Sequence, residues 1–212
     1  MLRGIGRGGN RPGTPACLGA LTAALLLAGC NGVVSARPWF GDADSIGAPR
    51  LREGVWRVVP QPGRRPCPVD EGRPLETWPD GAIGLVAGAH DLVHPGAKSR
   101  ERWPYVIAAG APPLLQIADA ESQGKRFYYL WMRPVRLDAQ GRSVTIKGWR
   151  VQCEPPPATA PPGAEALYAG LAATGDDCTA GSAAALRAAA RSTEADDTSD
   201  VFEAHWVRDG SR

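Results

Sequence analysis

From Gly54 onward the apolar residues fall in short runs that alternate with polar ones or stop abruptly at glycine or proline. This is the pattern of strands rather than of a long amphipathic helix. "VWRVV" (55–59) alternates and ends at Pro60, while "IGLVAG" (83–88) and "YVIAAG" (105–110) read as short buried strands. "LLQIAD" (114–119) is placed to pair with the run before it across Ala111-Pro112-Pro113. The clearest unit is "RFYYLWMRPVRLDAQGRSVTIKGWRVQC" (126–153), which predicts a hairpin. Phe127 to Met132 is apolar at successive positions, as in a strand buried on both faces. Asp138-Ala139-Gln140-Gly141 supplies the turn, with Gly141 free to take a positive φ. On the return strand Val144 and Ile146 share a face. Gly148 then predicts a bulge that carries the face on to Trp149, Val151 and Cys153. Pro134 belongs near a strand end or where a missing N–H faces solvent.

Beyond a Pro-rich connection (154–163) the pattern changes, and residues 165–192 read as helical. "EALYAGLAATG" (165–175) predicts a short helix ending at Gly175. "SAAALRAAARS" (182–192) predicts a firmer one, with Ser182 as N-cap, Leu186 inward and Arg187 and Arg191 outward. Glu194 to Asp200 is an acidic loop. "VFEAHWV" (201–207) then alternates, with Phe202, Ala204 and Trp206 against Glu203 and His205, as a last strand closing the sheet. The sum is an α+β chain, mostly β: an antiparallel sheet or partly open barrel with one or two short Ala-rich helices near the C-terminus. The seven tryptophans fall mostly on predicted strands or their ends, where core packing explains them.

The N-terminal pattern differs again. Arg3, Arg7 and Arg11 precede an apolar run from Leu18 to Ala28, and no acidic residue comes before Asp42. The run is too short for a membrane-spanning helix, which needs about 20 residues. A basic start, a short apolar centre and small residues at its end make a secretory signal peptide. Leu27-Ala28-Gly29-Cys30 resembles the lipobox of bacterial lipoprotein precursors. The resemblance implies cleavage before Cys30 once its thiol carries a diacylglycerol. With Asn31 rather than Asp behind the cysteine, it also implies an outer-membrane position facing the periplasm. The competing reading is ordinary cleavage after Val34-Ser35-Ala36. On the lipobox reading, residues 1–29 are the signal, 30–50 the lipidated cysteine with a tether, and 51–212 one β-rich domain. A flexible 20-residue tether spans about 25 Å, and Trp39-Phe40 within it are expected to dock onto the domain.

Charge and cysteine content change meaning once the signal is set aside. The chain has 24 basic and 22 acidic residues, and without Arg3, Arg7 and Arg11 the balance is close to neutral. No basic patch interleaved with aromatics is left to suggest nucleic acid. Behind Cys30 stand Cys67, Cys153 and Cys178, in a compartment where disulfides form. A Cys153–Cys178 bond would close a loop of about 25 residues, worth roughly 3–4 kcal/mol on the chain-entropy estimate. Cys67, flanked by prolines, could instead pair with either. A catalytic Cys67 lacks a supporting His or Asn pattern.

Candidate chemistry is sparse. His90 and His94 in "AHDLVHPG" have four-residue spacing, but Pro95 argues against a helix aiming both at one metal, and His205 would have to join them. Asp70, Glu71, Glu76 and Asp80 cluster in "PVDEGRPLETWPDG", near Arg64, Arg65 and Arg73. Two carboxylates at a fixed gap could run glycoside hydrolysis, although a solvated loop with compensating arginines has the same composition. No nucleophile elbow and no phosphate loop is found, so no catalytic residue, cofactor or metal is assigned. "APRLREGVW" with "PCPVDEGRPLETWPDGA" resembles a group of uncharacterised lipoproteins of GC-rich Gram-negative bacteria, which implies the compartment but no activity. The expectation is an envelope protein held by a lipid anchor, acting on an unknown envelope partner or ligand as a binding or structural module. The alternatives are a cell-envelope hydrolase built on the 70–80 loop, or a metal-binding lipoprotein using His90, His94 and His205.

Overall fold

Eight strands follow one another around a closed antiparallel ring in the computed structural model, which describes residues 31–59, 68–79, 83–94, 101–119, 122, 125–155, 167–195 and 201–210. They are β2 (Gly54–Val59), β3 (Ile83–Ala87), β4 (Asp91–His94), β5 (Glu101–Ala108), β6 (Leu114–Ala118), β7 (Phe127–Leu137), β8 (Ser143–Arg150) and β11 (Phe202–Arg208). Consecutive strands from β2 to β8 are neighbours, and β11 closes the ring between β8 and β2. Outside the ring lie β1 (Val33–Ser35), the hairpin β9 (Leu171–Thr174) and β10 (Asp177–Ala180), and the helix α1 (Ala183–Ala195). β1 lies between β7, to which it is antiparallel, and β10, to which it is parallel.

Period-two alternation produces this shape directly. Trp56, Leu92, Ile107, Leu115, Leu130 and Phe202 all face the interior, and cross-strand partners such as Ile107↔Leu115 and Leu115↔Leu130 face it together. Eight strands leave an interior that side chains can fill. Near one end the Tyr105 hydroxyl donates to the Gly88 carbonyl at 2.9 Å. Burial, followed by the charges of Glu53 and Asp91, pushes this phenol up to about 12. Outward positions carry charge: Arg57, Lys147, Glu203 and His205 stand on the outer side of β2, β8 and β11. Apolar inside and charged outside is the reverse of a membrane-spanning barrel.

β7 is buried on both faces over Tyr128–Met132, as its neighbour β6 is along its whole length. Leu130 and Met132 enter the barrel, while Tyr129 and Trp131 point outward beneath Leu186, Ala189 and Ala190 of α1. Ser182 caps that helix, its Oγ accepting from the Ala185 N–H at 3.1 Å. Arg187 lies over the Phe40 ring at 4.9 Å instead of reaching into solvent. The hairpin turn has Gly141 at φ +74°, and Asp138 accepts from the Gln140 and Arg142 N–H groups at 2.9 Å.

Three expectations are corrected. Residues 31–50 are not a tether: β1 is a strand of the fold, Val33 and Phe40 are buried, and Gln116 clamps the segment. The Gln116 side chain accepts from the N–H groups of Trp39 (2.8 Å) and Phe40 (3.0 Å) and donates to the Phe40 carbonyl (2.9 Å). Trp39 and Phe40 therefore dock on the domain, as expected of them. Of the helix read over 165–175, the described part is instead a turn and β9; residues 165–166 lie outside the described residues. Helix propensity is a weak prior there, and pairing of β9 with β10 overrides it. Gly148 makes no bulge, because Met132↔Gly148 and Trp131↔Trp149 keep perfect step. Its lack of a side chain is used for close packing, since a Cβ would meet the Trp131 carbonyl at 2.6 Å and the Phe202 ring at 3.1 Å. The register shifts fall between Pro134 and Leu137 instead, where proline cannot donate to the ladder. Asp91–His94, to which the sequence pattern assigns no element, forms the ring strand β4.

Candidate functional site

The acidic loop folds back over the outside of β2, β3 and β11. Gly84 makes room for it: a Cβ there would meet Leu75 at 2.4 Å and Trp78 at 2.9 Å. Arg208 fixes its backbone, donating to the Glu71 carbonyl at 2.6 Å and to the Arg73 carbonyl at 3.0 Å. Directly cross-strand from one another on β2 and β11, Arg57 and His205 both meet the Glu71 carboxylate. The Arg57 guanidinium is 3.1 Å and the His205 Nε2 3.2 Å from the same oxygen. An ionised carboxylate only accepts, so Nε2 carries the proton in this contact. Partial burial raises the Glu71 pKa, but the hydrogen bonds from His205 and Arg57 and their charges outweigh it, and the carboxyl is held below its ordinary range.

Chemically this is a latch. The one oxygen of Glu71 that faces the barrel wall is shared by two donors, and among the described residues the other acids of the loop do not join it. Asp70 pairs with Arg73 at 3.4 Å on the surface, Glu76 is exposed, and Asp80 lies outside the described residues. Of the histidines whose side chains are described, His205 and His90 do not converge. His205 turns to Glu71, His90 is exposed in the β3–β4 turn, and nothing is described of the His94 side chain. Among the described residues no group of three or more His, Cys, Asp or Glu side chains is arranged to hold a metal ion.

A second polar cluster lies where β1 enters. Arg150 and Arg126 both pair with Asp177, Arg150 at 3.4 Å, and both guanidiniums lie over the Tyr128 ring, at 5.6 and 5.1 Å. Asp177 also accepts from the Gly32 N–H at 3.1 Å, tying β1 to β10. Arg150 is 5 % exposed; removing either side of such a buried pair leaves an uncompensated charge. Gly32 leaves room for the Arg150 guanidinium, which a Cβ would meet at 2.0 Å and displace.

Cys153 and Cys178 form a disulfide, the pairing expected from their loop. Both cysteines flank β1: the Cys153 N–H donates to the Asn31 carbonyl at 3.1 Å and Cys178 is register partner of Val33. Cys30 and Cys67 lie outside the described residues. Sequence reasoning missed the Arg57–Glu71–His205 latch because its members are far apart in the chain, Glu71 and His205 by 134 residues. It also passed over Gln116, whose only signal is a polar residue inside "LLQIAD". No family model, curated protein or solved structure matches this chain.

Proposed function

We propose that the protein is a bacterial lipoprotein: residues 1–29 are a signal, Cys30 carries the lipid, and the barrel is a binding or structural module of the cell envelope. The observation that carries this reading is the position of β1. Ordinary cleavage after Ala36 would remove Val33–Ser35, a strand whose Val33 is 1 % and Val34 6 % exposed and which pairs with both β7 and β10. Cleavage before Cys30 leaves that strand whole. The disulfide between Cys153 and Cys178 fits an oxidising compartment. The anchor is membrane attachment enough, since a diacylated, N-acylated cysteine holds a protein stably. Asn31 supports placement on the outer membrane, facing the periplasm.

A module that binds or braces, rather than a hydrolase, is supported by the separation of the described loop carboxylates, with Asp70 on Arg73, Glu76 exposed and Glu71 committed to Arg57 and His205. Mass spectrometry of the membrane-extracted protein tests the anchor. An N-terminal Cys30 with its lipid is expected, and Cys30→Ala should stall processing or release the protein. A mature N-terminus at Arg37 overturns the reading.

A further inference from the structure

Among the described residues two stretches of strand edge lie open, and they are built in opposite ways. One is the far half of β7. The Met132 N–H still donates to the Pro113 carbonyl at 3.0 Å, but Trp131 is the last residue of β7 with a partner on β6, and Arg133–Leu137 pairs with β8 alone. Two positions past Met132, the next residue to face that edge is Pro134, which has no N–H to offer, and the register slips immediately after it. Arg133 and Arg136 are exposed there. Proline, a bulge and exposed charge are devices that keep a strand edge from pairing with another chain.

The other open edge is β9, which ends the strand order and pairs only with β10. Leu171-Ala172-Ala173-Thr174 has no proline, no charge and no slip in register, and its last three residues are exposed. Its hydrogen-bonding phase is set by its neighbours. The Gly181 N–H donates to the Gly170 carbonyl at 3.0 Å, so Gly170, Ala172 and Thr174 turn their backbone groups toward β10, while Leu171 and Ala173 turn theirs away. Cys178, opposite Ala173, agrees with this phase, since its own N–H goes to the Gly32 carbonyl on the side of β1. The Leu171 N–H is taken by the Tyr168 carbonyl at 3.1 Å. The Ala173 N–H and the carbonyls of Leu171 and Ala173 are left facing outward.

We propose that the open side of β9 pairs antiparallel with β9 of a second copy, centred on Ala173, so that one sheet runs on across two molecules. The free groups select this centre. The two Ala173 residues exchange both N–H···O bonds, and Ala172 comes opposite Thr174 of the other copy. Centring on Ala172 would call on the Leu171 N–H, which is already used. A second copy fits because the edge offers only small, uncharged side chains to an equally small and uncharged partner. The exposed Asp176 comes level with Gly170 of the other copy, so no like charges meet. Four residues of strand cover far less than the roughly 1,200–2,000 Å² of a stable interface, so the association is weak and reversible. It does not depend on a lipid at Cys30.

Disulfide trapping catches a weak contact and reads its register. The full chain carrying Ala172→Cys is mixed with the full chain carrying Thr174→Cys and mildly oxidised, with the parent chain as background. In the proposed pair these two positions lie opposite one another with Cα atoms about 4.5 Å apart, within reach of a disulfide. Either variant alone brings its own copies to diagonal positions about 7–8 Å apart, beyond that reach. Peptide mapping should therefore find position 172 of one copy joined to position 174 of the other, severalfold above any 172–172 or 174–174 product. Ala173→Pro, built into both variants, removes the outward N–H at an edge position that accepts proline, and should reduce the product to background. Ala173→Lys sets like charges opposite one another, does the same, and keeps the test intact where proline disturbs the hairpin. No 172–174 product in the mixture, equal linking in the single variants, or a product that survives Ala173→Lys overturns the proposal.

Discussion

On its inner face β7 places Leu130 and Met132 among Ile107, Leu115, Ile146 and Phe202; on its outer face Tyr129 and Trp131 meet Val33, Phe40, Val151 and Leu186. The two layers are equally dry but are assembled from different parts of the chain. The inner layer comes from strands that follow one another, β2 to β8, so most of its contacts close over short connections. The outer layer gathers β1 from the beginning of the described chain and β9, β10 and α1 from an insertion between β8 and β11. Closing long loops costs more entropy than closing short ones, though slowly with length. The outer layer accordingly carries specific fasteners: the Cys153–Cys178 bond, the Gln116 clamp on Trp39 and Phe40, and Asp177 between Arg126, Arg150 and Gly32. In the barrel, apolar alternation alone does most of this work.

Trp131 gives the sharpest way to break the outer layer. It is 2 % exposed and sits under α1. Trp131→Ala should lower stability by about 3–5 kcal/mol, read as the shift in urea midpoint of the Cys30→Ala protein. Its indole N–H has no hydrogen-bond partner among the described residues, so Trp131→Phe, which removes an unsatisfied donor along with some volume, should cost much less. A small effect of Trp131→Ala would mean that the outer layer contributes little and that the barrel stands by itself.

The disulfide asks whether the two layers unfold together. Cys153→Ala with Cys178→Ala should cost roughly 3–4 kcal/mol on the chain-entropy estimate for its 25-residue separation. If the layers are separable, amide exchange should quicken first in β1, β9 and β10, with β2 and β3 following only at the global limit. Equal quickening in both would show one cooperative unit and erase the distinction.

The same division explains what could be read in the sequence. The inner layer was legible because its signal is local: the 126–153 hairpin, its Asp138–Gly141 turn, β6 and β11 all follow from alternation and turn residues. β4 escaped because four residues containing Asp91 and His94 hold too little alternation to recognise. The outer layer was legible in α1, in the cysteine pair and in the docking of Trp39 and Phe40. β1 is three residues long, and β9 is Ala-rich, so each becomes a strand only through partners distant in sequence. The latch was invisible for the same reason, its three side chains coming from the loop, β2 and β11.

pH separates the barrel's inside from its outside at opposite ends of the scale. Tyr105 is inside, and its folded pKa, raised to about 12, lies above the ordinary 10.0. The stability it carries is present below pH 10 and is lost as pH rises toward the folded value, by about 2–3 kcal/mol for a shift of this size. Tyr105→Phe should flatten that alkaline loss. Glu71 is outside, and its pKa is lowered, so the sign reverses: its contribution is present above the ordinary glutamate range and disappears as pH falls through the folded value. The Glu71 side chain is 39 % exposed and solvent screens it, so the latch is worth no more than about 1 kcal/mol. Glu71→Gln keeps the shape and an acceptor for Arg57 while removing the charge. Its urea midpoint should fall slightly below that of the parent near neutral pH and converge with it in acid. A gap that stays constant or widens as the pH falls would mean that the charge of Glu71 does not hold the loop against β2 and β11, and that packing of Leu75 and Trp78 over Gly84 does so alone.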